Sequence, residues 1–190
     1  MLETILRRTL LTLIITILCG VVFHAPLSVW LGTHFTDAQL LIKSWKEILT
    51  IVALVMLVAQ VIRHQKWNVL LSDWVVRISL LFCLIHVIVL PLTWQGLLPT
   101  VAGLMIDLRF IAFFVIVYSS IKLCPRWRKP LLIASAAAAV VSVLFAVLQA
   151  TVLPHDILKH IGYDKDTTIA PYLTVDRNYD YVRINGTLRG

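Results

Sequence analysis

Pro130-Leu-Leu-Ile-Ala-Ser-Ala-Ala-Ala-Ala-Val-Val-Ser-Val-Leu-Phe-Ala-Val-Leu-Gln-Ala-Thr-Val-Leu153 runs for 24 residues without a charged side chain. About 20 apolar residues in a helix cross the roughly 30 Å hydrocarbon core of a bilayer, so this stretch reads as a membrane span. Its polar interruptions are mild. Ser135, Ser142 and Gln149 recur every seven residues, on one helical face beside Ala136 to Ala139. Small residues let helices approach closely, so that face is predicted to be a packing seam. Four further apolar runs have the same character, at residues 10–31, 46–62, 69–90 and 100–121. None shows the alternation of a barrel strand, and backbone groups in lipid must be satisfied within their own segment. The predicted fold class is therefore all-α: a polytopic helical membrane protein with about five transmembrane helices and a short extracytoplasmic C-terminal tail.

Composition points the same way. Hydrophobic residues make up 59% of the chain and charged residues 14%, and the mean hydropathy is +0.89. A soluble domain of 190 residues has too little interior to hide so much apolar side chain. The formal charge of +7 does not indicate nucleic acid, because Lys and Arg sit in short clusters between apolar runs. Cys19, Cys83 and Cys124 lie in or beside those runs without ligand-like spacing, which argues against a disulfide framework or a zinc site. Arg7 and Arg8 precede the first run, as in a signal peptide or, faintly, a twin-arginine signal. The run continues through Trp30 with no A-x-A site after it, so an uncleaved helix is expected.

The loops set the orientation. One set holds Arg7, Arg8, Arg63, Lys66, Lys122, Arg126, Arg128 and Lys129, and the opposite short loops hold only Lys43 and Lys46. The positive-inside rule places the first set in the cytoplasm, with the N-terminus inside and the tail outside after five crossings. Trp30, Trp45, Trp67, Trp94 and Trp127 fall near span ends, where interfacial anchors belong. Residues 1–153 form the membrane domain and 154–190 an extracytoplasmic segment, expected to begin a larger outer loop. Pro26 is predicted to kink the outer end of the first helix. The second span is apolar until Gln60 and is expected to face lipid around most of its circumference.

Charges inside spans are costly and ask for an explanation. Asp73 and Arg77 are four residues apart on the third span, on one helical face, and are expected to pair locally. Asp107 and Arg109 sit deeper in the fourth span, and their two-residue offset points them to nearly opposite sides. Each therefore needs a partner on another helix, and Arg77 is the candidate for Asp107. A structural clamp and a functional polar site stand as equal readings of these two residues. On this pattern Asp107 is expected to be costlier to remove than Asp73. His86 stands alone in an apolar helix and reads as a packed or hydrogen-bonded group. No metal site and no cofactor are predicted, and neither a phosphate-binding glycine loop nor a G-x-S-x-G elbow is present.

From Pro154 the chemistry changes. Residues 154–161 are expected to form one or two helical turns ended by Gly162, with Ile157, Leu158 and Ile161 lying on the membrane. Farther on, Tyr172, Tyr179 and Tyr181 alternate with Asp176, Arg177, Asp180 and Arg183, and the chain runs on as Arg183-Ile-Asn-Gly-Thr-Leu-Arg-Gly190. A guanidinium grips phosphate through a planar fork and stays charged at every relevant pH. Gly186 permits a tight turn, Thr187 offers a hydroxyl, and tyrosine faces suit sugar rings. On these residues alone, a solvated loop whose arginines pair with Asp176 and Asp180 is the favoured reading of the tail.

The string R-x-x-G-T-L at Arg183, Gly186, Thr187 and Leu188 resembles the start of the arginine motif of the O-antigen ligase and O-antigen polymerase family. There the motif runs on through two more residues, here Arg189 and Gly190, into Pro-Asn. The string Asp107-Leu-Arg-Phe110 resembles a stretch in a middle helix of the same ligases. The resemblance implies a metal-independent glycosyltransferase of the bacterial cytoplasmic (inner) membrane, of which this chain is the N-terminal part. It implies that a glycan moves from an undecaprenyl pyrophosphate carrier to a glycan, lipid or protein acceptor, with membrane lipid but no nucleic acid as a partner. Arg183 takes the catalytic, pyrophosphate-holding role, and Gly186, Thr187, Arg189 and Tyr181 complete the substrate-binding set. The family's general base lies in later sequence, so none is assigned, and residues 1–190 alone are expected to be inactive. The alternative readings are a transporter or flippase fragment, with Asp107 and Arg109 lining a polar path, and a non-catalytic membrane scaffold.

Overall fold

The computed structural model describes residues 2–154, 156–163, 173–175 and 178–183, with backbone alone for Leu2, Leu40 and the last two segments. Six α-helices follow one another: α1 (Leu2–His34), α2 (Gln39–Arg63), α3 (Trp67–Leu71), α4 (Trp74–Val89), α5 (Leu97–Leu123) and α6 (Arg128–Thr151). Five of the helical stretches are long and apolar enough to cross a membrane. The chain is a multi-pass helical membrane protein. The expected third span, 69–90, is in fact broken at Ser72 and Asp73, so that the short α3 precedes a span beginning at Trp74. An aspartate in extended conformation starts a new helix there, because its side chain can take up the orphan N–H groups of the first turn.

Two compact units share the chain, one of residues 1–14 and 47–129, the other of residues 15–46 and 130–190. In the first unit, α2 buries Ala53, Leu57, Gln60 and Val61, a stripe at helical spacing. Ile51, Val55 and Ile62 are exposed. From the sequence most of the circumference is expected to face lipid, and the buried stripe is not foreseen there. Gln60 explains part of it: its Nε2 donates to the Leu6 carbonyl at 3.4 Å, tying α2 to the start of α1. The C-terminus of α2 closes with Gln65 in a left-handed conformation, φ 51°. The Lys66 N–H reaches back to the Val61 carbonyl at 3.0 Å, the arrangement in which glycine is the usual residue.

In the second unit, Pro26 lies inside α1, which continues to His34. Trp45 is not a free interfacial anchor. Its Nε1 donates to His24 Nδ1 at 2.9 Å, and a Cβ at Gly20 would stand 2.5 Å from its indole ring. Glycine at position 20 is what lets the indole in. On α6 the buried residues are Leu131, Ala134 and Gln149, and Ser142 is half-buried. Ser142 and Gln149 thus belong to the predicted seam, but Ser135 is exposed, since the face turns through Ala134 and Ala138 instead.

After α6 a 3-10 turn covers Ile157–Ile161 and ends at Gly162, whose φ of 93° suits glycine. Leu158 does not lie on the membrane. It is 2% exposed and Tyr163 is 1% exposed, and a Cβ at Gly162 would come within 3.1 Å of the Thr33 methyl. The start of the tail is therefore packed against the end of α1. Beyond it, β1 (Leu173–Val175) and β2 (Asn178–Arg183) form an antiparallel ribbon. Leu173 pairs with Arg183 and Thr174 with Val182, and the register shifts before Val175 pairs with Asn178. The sequence reading assigns no strand here, although the alternation of Tyr179, Tyr181 and Arg183 is the period of one.

Candidate functional site

Every charge on α4 and α5 except one is engaged, and the engagements differ from those read in the sequence. Asp73 sits at the N-cap of α4, with φ −78° and ψ 128°. Its Oδ1 accepts from the Val75 and Val76 N–H groups at 2.9 and 3.3 Å. Its Oδ2 accepts from the Tyr118 hydroxyl at 3.1 Å and from the Lys122 ammonium, both on α5. The Lys122 ammonium holds the Asp73 carboxyl below the usual carboxylate range; burial opposes that shift, and the Val76, Tyr118 and Val75 donors add to it. The expected Asp73–Arg77 pair does not form. Arg77 Nε donates to the Leu71 carbonyl at the end of α3 instead, because the N-cap geometry turns the carboxylate towards α5.

Arg109 is likewise taken, by Glu47 of α2 at 3.5 Å, and its guanidinium lies 4.7 Å from the Phe110 ring centroid. Its Nε is buried with no hydrogen-bond partner among the described residues. Glu47 was visible in the sequence only as a charge near a loop. Its side chain is 16% exposed, because the helix starts at Gln39 and carries it well past the first turn.

Asp107 is the exception. Arg77 does not reach it, and no cation or donor pairs with it among the described residues. Its exposed side chain helps to line an open cleft of about 400 Å³ in the first unit, formed by α4, α5 and the turn joining them. Thr100, Gly103 and Asp107 bring one face of α5 to it, and His86, Thr93 and Gln95 bring the rest. The spacing of Thr100, Gly103 and Asp107 is the signal that marks this face in the sequence. His86 is hydrogen-bonded, as read, through Nδ1 to the Phe82 carbonyl at 3.0 Å.

The other predicted site is the arginine motif. Arg183 is the last residue of β2, and Tyr181 is in the same strand. Gly186, Thr187 and Arg189 lie outside the described residues. Asp73, Arg77, Asp107 and Arg109 thus belong to the first unit and Arg183 to the second.

No protein-family model, curated protein or solved structure matches this chain. Among the described residues, no group of three or more His, Cys, Asp or Glu side chains is arranged to hold a metal ion.

Proposed function

We propose that the chain contributes the N-terminal spans and the arginine motif of an O-antigen-ligase-like glycosyltransferase of the bacterial inner membrane. The observation that carries this reading is R-x-x-G-T-L at 183–188, following five helices of membrane-spanning length. Eight basic residues beside one set of span ends and two beside the other support an extracytoplasmic position for the motif. A lipid-linked pyrophosphate on that face sits at the depth such a tail can reach.

In the reaction, an acceptor hydroxyl attacks the anomeric carbon of the donor glycan. The new glycosidic C–O bond forms as the bond to pyrophosphate breaks, and negative charge grows on the departing oxygens. Arg183 stabilises that charge through two parallel N–H donors, an interaction stronger in the transition state than in the bound donor. Starting at the end of an antiparallel ribbon gives Arg183 a backbone held by its partner Leu173.

Arg183→Lys in the full-length protein carrying this chain is expected to lose about 10²–10³ in transfer rate from a polyprenyl-pyrophosphate glycan, because lysine keeps the charge but not the fork. Arg177→Lys should stay near the parent. A fully active Arg183→Lys protein overturns the role. Orientation is checked with an impermeant thiol reagent on intact cells, in a background lacking native cysteines. Thr168→Cys should label and Lys66→Cys should not, and the reverse pattern removes the site from the donor's side.

A further inference from the structure

The cleft between α4 and α5 has the chemistry of a binding site that its own helices leave open. Asp107 stands ten residues beyond Leu97 in α5, about 15 Å along a helix of membrane-spanning length. A carboxylate at such depth is strongly disfavoured unless a cation or several donors meet it. The cations of α4 and α5 are used elsewhere: Arg77 on the Leu71 carbonyl, Arg109 on Glu47, Lys122 on Asp73. The second strong group in the cleft is His86. A carbonyl can only accept, so the contact with Phe82 places a proton on Nδ1, and in the uncharged tautomer with that proton Nε2 carries a lone pair. In that form Asp107 and His86 are both acceptors, and the aspartate supplies the negative charge.

Space narrows the ligand further. The cavity of about 400 Å³ is in the range that holds a small organic molecule. Gly103 helps to make it, for a Cβ built there meets nothing within 4 Å. A bare divalent ion would need more oxygen ligands than one carboxylate supplies, and Thr93, Gln95 and Thr100 add neutral polar groups rather than charge. A primary ammonium meets these demands together: one positive charge for Asp107 and further N–H donors for His86 Nε2 and the hydroxyls.

We propose that the α4–α5 cleft binds a primary-ammonium ligand, with Asp107 as its counter-ion, His86 Nε2 as a second acceptor and Gly103 leaving the room. The proposal does not rest on the glycosyltransferase reading. The ammonium has two sources, a soluble amine or an aminolipid headgroup, and the test separates them. The full chain is placed in phosphatidylcholine nanodiscs and its Tm followed against ethanolamine, and against choline, which keeps the charge but has no N–H. In a second arm phosphatidylethanolamine replaces part of the lipid.

A Tm rise with ethanolamine and little with choline is the expected result for a soluble amine. A rise only with phosphatidylethanolamine identifies the headgroup. In either arm Asp107→Asn should weaken binding at least tenfold, and Gly103→Phe, which fills the cleft without touching the carboxylate, should abolish the shift while its ligand-free Tm stays near the parent's. Should Asp107→Asn fail to fold, Gly103→Phe decides. No stabilisation in any arm, an equal effect of choline, or a Gly103→Phe protein that responds like the parent overturns the proposal.

Discussion

The α4–α5 pair carries one aspartate at the start of α4 and another well inside α5, and the two have opposite fates. Asp73 is met by two backbone N–H groups, a tyrosine hydroxyl and a lysine. Asp107 is met by none of these among the described residues and opens into a cleft. The first is closed by groups of the pair itself, and the second keeps its acceptors for something else. In a solvent of lipid, hydrogen bonds not made within the protein are not made by water either. A satisfied carboxylate therefore reads as structure, and an unsatisfied one of similar chemistry marks a place where interaction energy is still available.

The sharpest way to break that contrast is at the pair made by Arg109, two residues along α5 from Asp107. Glu47→Gln leaves Arg109 without its carboxylate. The pair is part-buried, so the loss should lie between about 1 kcal/mol, as for an exposed pair, and about 3 kcal/mol, as for breaking a buried one. Unfolding in detergent should show that loss, and Glu47→Gln with Arg109→Gln together should recover more than half of it. A double variant no more stable than Glu47→Gln would mean that Arg109 is satisfied elsewhere, and that the α5 charges are not sorted into paired and unpaired.

Asp73→Ala comes next. It removes a helix cap and the α4–α5 tie at once, so Tm should fall by several degrees, whereas Lys122→Met, which spares the cap, should lower it less. The pH dependence carries the same signature. The folded Asp73 carboxyl titrates below its unfolded value, so its contribution is fully present above the unfolded value and is lost as pH falls through the folded one. The Tm difference between parent and Asp73→Ala should accordingly shrink on acidification through that window. A difference independent of pH would reduce Asp73 to a neutral cap. Asp107→Asn is expected to have the smallest effect, near zero or slightly stabilising without ligand, which inverts the order anticipated from the sequence. A large loss there would uncover a partner for Asp107 and erase the contrast.

How much was legible follows the physics of each signal. Hydropathy is additive along the chain, so the five spans, the break in character at Pro154 and the glycine-ended turn at Gly162 could be read directly. Span ends were less accessible, since α1 and α2 extend beyond their apolar cores with polar residues that helix formation tolerates. The ribbon at 173–183 was hidden because three residues of β1 are too few to display a period. Arg183 could be singled out by its motif, whereas Glu47 and His86 had none.

The sequence by itself determined the solvent. Residues such as those from Pro130 to Leu153 have nowhere stable to go except lipid, and apolar runs without a barrel strand's alternation satisfy their backbone there as helices. It also determined which residues were anomalous: Asp73, Arg77, Asp107 and Arg109 each conflict with an apolar neighbourhood. Only the tertiary structure decided how each conflict ends. Pairing depends on where neighbouring helices place their side chains, and a helix repeats every 3.6 residues, so local spacing offers partners that packing can overrule. Asp73 passed over Arg77, four residues away, for Lys122, 49 residues away, because capping α4 turned its carboxylate towards α5. Arg109 found Glu47 by the same kind of remote choice, and Asp107 was left facing the cleft.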